Sequence, residues 1–412
     1  MKKTILSLMM VMLIISITNS QWAEQTSGQT TVLYSVSGVD DNNAWICGAG
    51  GKVLRTTDGG TTWTLVTNPT TSPLYNIFGV DANTALTTSS PAATFVYRTT
   101  NGGTNWTQVF TQAAGFIDAI WMTTPLNGFM YGDPVGGRWS LWKTTNGGIN
   151  WDSTGLYIAQ VGGEAGWNNA LFNLGTSFWF GTSTVRIYNS INNGVTWTAQ
   201  TTPAANQYAV WFNTPLTGLA GDDANMFSTV NGGTTWTSTS PPGTSNVSGI
   251  TGVGVIWWFT RQSTIIYRSN DNGATWVTEY TAPAGNFFHI IKARTGNRIW
   301  AVRSNGGISK SDGVIGITPI SGEVPTAYSL SQNYPNPFNP STKIDFAIPK
   351  SSNVVLKAYN ILGEEAAVIY SGYLAAGKYS ADFNANNLAS GIYFYTLNAG
   401  GFTETKKMSL IK

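Results

Sequence analysis

Short apolar runs, separated by turns rich in Gly, Thr and Asn, recur along most of the chain. Seven of them are centred on Val36, Ile77, Ile120, Leu171, Val210, Ile250 and Ile290. The residues just before these centres are Ser35, Asn76, Ala119, Ala170, Ala209, Gly249 and His289, and six of the seven are small. The runs are too short for helices and alternate only partially, which predicts strands covered on both faces. A small side chain at one fixed place in every run is expected where strands crowd a common axis.

Downstream of the first six runs stands one motif, in six copies: Thr56-Thr-Asp-Gly-Gly-Thr-Thr-Trp63, Thr99-Thr-Asn-Gly-Gly-Thr-Asn-Trp106, Thr144-Thr-Asn-Gly-Gly-Ile-Asn-Trp151, Ser190-Ile-Asn-Asn-Gly-Val-Thr-Trp197, Thr229-Val-Asn-Gly-Gly-Thr-Thr-Trp236 and Ser269-Asn-Asp-Asn-Gly-Ala-Thr-Trp276. The Trp spacings of 43, 45, 46, 39 and 40 residues match one four-stranded propeller blade. In each copy the Asp or Asn (Asp58, Asn101, Asn146, Asn192, Asn231, Asp271) is expected to accept backbone N–H groups two residues on and fold the turn. The fifth residue, Gly, takes positive φ. The Trp packs the turn on its blade and finds a local partner for its indole N–H. The motif resembles the Asp-box of sialidase-like and photosystem II assembly-factor-like propellers, and its residues read as structural.

The seventh run lacks a complete box, because Lys310-Ser-Asp-Gly-Val314 stops before its Trp. Trp22 lies 41 residues before Trp63, one repeat upstream. The expectation is therefore a seven-bladed β-propeller over residues 21–313 whose outermost strand in blade seven is supplied by Gln21–Gly28. Blade one reads as strands at Val32–Val39, Ala44–Gly48, Lys52–Thr56 and Thr62–Thr67. The recurring Arg55, Arg98, Lys143 and Arg268 before the boxes suggest a surface or interblade role.

After Gly313 the repeat ends. Residues 314–326 are rich in Gly, Pro and Ser and read as a linker. Strand-like runs follow at Lys343–Ile348, Val354–Tyr359, Tyr379–Phe383, Ile392–Leu397 and Thr403–Leu410, predicting a small Ig-like β-sandwich. Before and among these runs Asn333-Tyr-Pro-Asn-Pro-Phe338, Leu388-Ala-Ser-Gly-Ile392 and Lys406-Lys-Met408 occur in order. From about Ala327 to Lys412 this resembles the type A C-terminal sorting domain of the bacterial type IX secretion system. The resemblance implies export through outer-membrane machinery, with cleavage and attachment to surface lipopolysaccharide as one fate. Met1-Lys-Lys3, the apolar run Ile5–Ile17 and small residues to Ser20 agree, reading as a signal peptide over residues 1–20. No later stretch is apolar enough to span a bilayer, so no transmembrane segment is expected in the mature chain.

Composition narrows the chemistry. Net charge is +2 and charged residues are only 10%, so nucleic acid is not an expected partner. Cys47 is the sole cysteine and His289 the sole histidine. No internal disulfide is possible, no two-His metal site can form, and no cofactor or metal is expected. Both residues read as packed core groups.

Candidate ligand residues lie on the face made by the loops between strands two and three and between blades, where sialidase-like propellers carry their active site. They are Asp133, Arg138, Trp139, Glu164, Trp167, Asp222, Asp223, Arg261 and Arg303, with Tyr34, Tyr75, Asp118, Asn169, Tyr208 and Phe288 brought near the channel. Of the Trp residues assigned to neither boxes nor second strands, Trp139 and Trp167 are best placed for a ligand. The resemblance to sialidases fails at the arginine triad, since no Arg-Ile-Pro segment occurs. A xyloglucanase pattern needs two propellers. No catalytic residues are assigned. The reading is an exported binding or scaffold module, for an extracellular glycan or protein. The alternative is a glycoside hydrolase or lyase, for which Asp133, Glu164, Asp222 and Asp223 are the available carboxylates.

Overall fold

The computed structural model describes residues 22–312, 317–321, 325–350, 352–374, 376–385 and 388–412. The signal segment expected at residues 1–20 lies outside them. Apart from one short 3-10 turn at Ala49–Gly51, every regular element among the described residues is a β-strand.

The first 290 or so described residues form seven antiparallel sheets. Their innermost strands are Leu33–Gly38, Asn76–Gly79, Ile117–Met122, Gly166–Leu174, Ala209–Phe212, Val247–Val253 and Phe287–Lys292. Each packs on the next, and the seventh packs back on the first, so the sheets are the blades of a closed ring. Between each pair of neighbouring blades lies a separate apolar cluster, seven in all. Trp45, Trp179, Trp258 and Trp300, one on the second strand of each of four blades, are buried in these clusters. Cys47 is buried beside Leu74, its Sγ 3.3 Å from the Leu74 carbonyl oxygen, and burial pushes its thiol pKa up.

The ring closes through the N-terminal strand. Trp22–Gln25 pairs antiparallel with Ile308–Ser311, in the register Trp22 opposite Ser311 and Gln25 opposite Ile308. Trp22 is buried against blades six and seven, and Glu24 binds Arg303 and Ser309 of blade seven and the Tyr280 hydroxyl of blade six. Blade three departs from the pattern, with only three strands in its sheet. Residues 152–160 take the outer place through isolated bridges of Asp152 with Lys143 and Ala159 with Arg138.

The box turns carry their load on two side chains rather than one. In all six, the hydroxyl of the first residue accepts the backbone N–H of the fifth-position Gly at 2.8–3.1 Å. The Asp or Asn accepts the N–H four residues on, not two, at 2.8–3.0 Å. Positive φ falls at the fourth position as well as the fifth, and where the fourth is not Gly it is Asn193 or Asn272, the side chain that best tolerates this region. Local indole partners are the exception. Trp197 donates to the Gly194 carbonyl and Trp63 to Gln25 of the closing strand, while Trp106, Trp151, Trp236 and Trp276 have no indole partner among the described residues. Two of the arginines before the boxes act between blades, Arg55 donating to the Ala82 carbonyl and Arg98 to the Gly147 carbonyl, whereas Arg268 pairs with Glu279 of its own blade.

The C-terminal part is a sandwich of two four-stranded sheets. One contains Ile317–Ser321, Gly377–Asn384, Ser341–Ile348 and Ser329–Leu330; the other Glu365–Leu374, Ser352–Tyr359, Gly391–Ala399 and Phe402–Leu410. Phe338, Phe346, Leu356, Tyr395 and Met408 fill the space between. Three strands escape the sequence reading, the shortest being Ser329–Leu330, which pairs with Ser341–Ile348. Ile317–Ser321 falls in the presumed linker yet pairs with Gly377–Asn384. Glu365–Leu374, the longest strand of the sandwich, opens on Glu-Ala-Ala, which has low β-propensity.

Candidate functional site

The inner strands line an axial channel, and a central polar knot closes it. Asn169 of blade four has φ of 65° and reaches across to blades one and two. Its Oδ1 accepts from the Ser35 hydroxyl and from Asn76 Nδ2, both at 2.7 Å, and its Nδ2 donates to the Tyr34 carbonyl at 3.2 Å. Asn76 Oδ1 in turn accepts the Ile120 N–H at 3.0 Å. These bonds join four blades at the axis. His289 completes the ring, its Nδ1 accepting the Val36 N–H at 3.1 Å, and desolvation lowers its pKa to about 4.

Below this floor the channel widens into a cavity of about 860 Å³ that ends at the inner-strand turns, on the same side as the box turns. Side chains two residues beyond the small column point the same way, as strand alternation requires. In blades two to five they are Phe78, Trp121, Phe172 and Trp211. Their rings form a continuous arc, with centroid separations of 5.6, 5.7 and 4.3 Å. Trp211 donates to Asn213 at 3.0 Å. On the other side Arg294 lies over the Phe78 ring and donates to Ser37 and the Gly79 carbonyl; burial lowers its pKa to about 10. Lys292, its pKa also lowered by burial, binds the Ala293 and Gly296 carbonyls. Leu374 and Tyr379 of the C-terminal sandwich border the same cavity.

The residues suggested for a ligand on the opposite face do not converge. Trp139 is buried and donates to Glu164. Glu164 is buried too, and takes donors from Arg186 at 2.6 Å, Tyr188 at 3.0 Å, Thr184 and the Val161 N–H. Arg261 is buried on the carbonyls of Pro242, Ser245 and Ala224. Arg303 is buried on Glu24 and the Ala284 carbonyl. Asp222 is buried and caps the turn at Ala224 and Asn225. All five are corrected to internal roles, because each spends its polar atoms on its own or a neighbouring blade. Asp133, Arg138, Trp167 and Asp223 do reach solvent. Asp133 accepts the Gly166 N–H at 2.7 Å, and its pKa is raised by burial. Asp118, buried, has its pKa raised well above the carboxylate range by desolvation and by Asp133.

A ring of blades stitched by Asp-box turns, followed by a β-sandwich, defines an Asp-box propeller with an appended C-terminal module. Residues 332–412 match the secretion system C-terminal sorting domain, and residues 17–125 match the photosynthesis system II assembly factor YCF48. The sorting-domain match implies export by type IX secretion, through the periplasm, and contact with its machinery. No curated protein matches the chain. A solved structure titled YCF48 bound to D1 peptide is 15% identical, with a TM-score of 0.57 over 71% of this chain and 97% of that one. YCF48 from Cyanidioschyzon merolae is 18% identical, with a TM-score of 0.56 over 70% and 98%. The GH74 enzyme of Niastella koreensis is 17% identical, with a TM-score of 0.51 over 70% of this chain and 44% of that one. These likenesses show the fold.

Proposed function

We propose that the chain is an exported, non-enzymatic binding module that holds a polypeptide partner at the axial cavity. A signal peptide over residues 1–20 starts its export and the sandwich completes it. The observation that carries the reading is the cavity, walled by the Phe78–Trp121–Phe172–Trp211 arc and closed at its floor by Asn169. Aromatic walls with a few fixed amides suit bulky apolar side chains presented on a backbone. A YCF48 propeller with a bound peptide has the same fold, which supports a peptide guest by analogy alone. The cationic groups beside the cavity are spent on carbonyls, so charge is not what selects the guest.

A hydrolase reading has one observation in its favour, the coupled carboxyls Asp118 and Asp133. A general acid must reach the glycosidic oxygen, and Asp118 is only 3% exposed, which favours binding over catalysis. The test is selection of peptides from a random library on the purified chain, beside an assay for reducing ends released from polysaccharides. The expected result is enrichment of peptides with aromatic or branched residues, binding lost in Trp121→Ala and Trp211→Ala, and no sugar release. Peptides indifferent to both substitutions, or sugar release abolished by Asp133→Asn, would overturn it.

A further inference from the structure

The opposite entrance, on the side of the blade-connecting loops, carries a feature of which the cavity shares only Tyr208. Six of the seven blades place an aromatic ring there: Phe288, Tyr34, Tyr75, Phe116, Trp167 and Tyr208. All six are half-buried, so each keeps part of its surface in water. Phe288 meets Tyr34 at 5.7 Å, Tyr34 meets Tyr75 at 5.2 Å, Tyr75 meets Phe116 at 4.9 Å, and Trp167 meets Tyr208 at 4.4 Å. The register of the inner strands explains the collar. Pairing slips between Leu33 and Ser35, between Gly166 and Leu171, and between Phe287 and His289. Each slip leaves residues out of the ladder and turns them to the rim.

The polar groups at this rim are neutral or acidic. The Tyr34 and Tyr75 hydroxyls have no protein partner among the described residues. Asp223, exposed, accepts from the Tyr208 hydroxyl at 2.7 Å and from Asn206 at 2.9 Å. The guanidinium groups of Arg261 and Arg303 bond to their own and neighbouring blades, and Arg138 stands further out, where the second strand of blade three turns into the third. Asn169 closes the floor beneath the collar.

We propose that this collar binds the end of a neutral saccharide chain. Flat ring faces pack on the C–H faces of pyranose rings, and sugar hydroxyls are met by the Tyr34 and Tyr75 hydroxyls and the exposed Asp223 carboxylate. A polyanion is disfavoured by Asp223 and by the lack of a free cation in the collar. The closed floor prevents a chain from threading through, so the terminal unit enters end-on. Of the six rings only Tyr208 also lines the polypeptide cavity, so the site stands whether or not that cavity binds.

The test uses the full-length mature chain with a panel of soluble neutral oligosaccharides: cello-, xylo-, manno-, laminari- and chito-hexaoses, followed by calorimetry. Saturable binding of at least one is expected. Tyr75→Ala and Trp167→Ala should each weaken it about tenfold or more, Tyr75→Phe less, and Tyr157→Ala, exposed on the outer rim of blade three, not at all. Failure of every hexaose to bind at millimolar concentration, or binding indifferent to all three collar substitutions, would overturn the proposal.

Discussion

Asp58 and its counterparts show how one turn shares its work between a hydroxyl and a carbonyl-type oxygen. Asp58 accepts both the Thr62 N–H and the Thr62 hydroxyl, and these bonds lower its pKa to about 2. Four of the six boxes use Asn instead, and Asn192 and Asn231 donate to the same Thr hydroxyl from Nδ2. Asp58→Asn should therefore keep the turn, whereas Asp58→Ala should cost about 1 kcal/mol in denaturant unfolding. The Asp contribution is complete above pH 3.8 and is lost as pH falls towards 2, a loss that Asp58→Asn should remove. His289 titrates in a more accessible window. Its folded pKa of about 4 lies below the unfolded 6.5, so the folded state resists protonation. Stability should be full above about pH 6.5 and fall as pH drops towards 4. Melting temperatures across that range should show the slope, and His289→Gln should flatten it. The box was legible in the sequence because a local hydrogen-bonding motif repeats in register. The spending of Arg261, Arg303 and Glu164 was not, because their partners come from other strands and loops.

At the scale of the strand, the closing element was readable and its energetics are concentrated in two residues. Trp22 is buried between blades six and seven, and Glu24 is the counter-ion of buried Arg303. Trp22→Ala should destabilise the propeller by about 3–5 kcal/mol, and deletion of residues 22–25 by at least as much, since it also leaves Ile308–Ser311 as an open edge. Unchanged melting after the deletion would show that the ring does not need this strand. The column of small residues marked the channel in advance. The bulky column two residues on, Phe78, Trp121, Phe172 and Trp211, is equally present in the sequence, but nothing local distinguishes rings that line a cavity from rings that fill a core. The strand at Glu365–Leu374 was missed for a different reason: its opening residues favour other conformations and are held by pairing with Ser352–Tyr359.

For the whole molecule, the two parts have separate cores, one set of clusters between blades and one within the sandwich. Truncation after Asp312 should leave a folded propeller in the periplasm of a host with this export route. A reporter carrying residues 1–20 and 313–412 should reach the surface or the medium, as fractionation and protease shaving would show. Because Leu374 and Tyr379 border the cavity, the truncated chain should also bind selected peptides more tightly than the full one. The pairing of Trp22–Gln25 with Ile308–Ser311 has a consequence in time as well as in space. The two partners are separated by nearly the whole propeller, and bringing such distant ends together carries a loop-closure cost of about 5 kcal/mol in its logarithmic part alone. A chain that crosses the inner membrane from its N-terminus delivers its first strand early and that strand's partner last. Blades one to six can form as they emerge, but the first strand meets its partner only when the seventh arrives, so closure of the ring should wait until translocation of the propeller is complete.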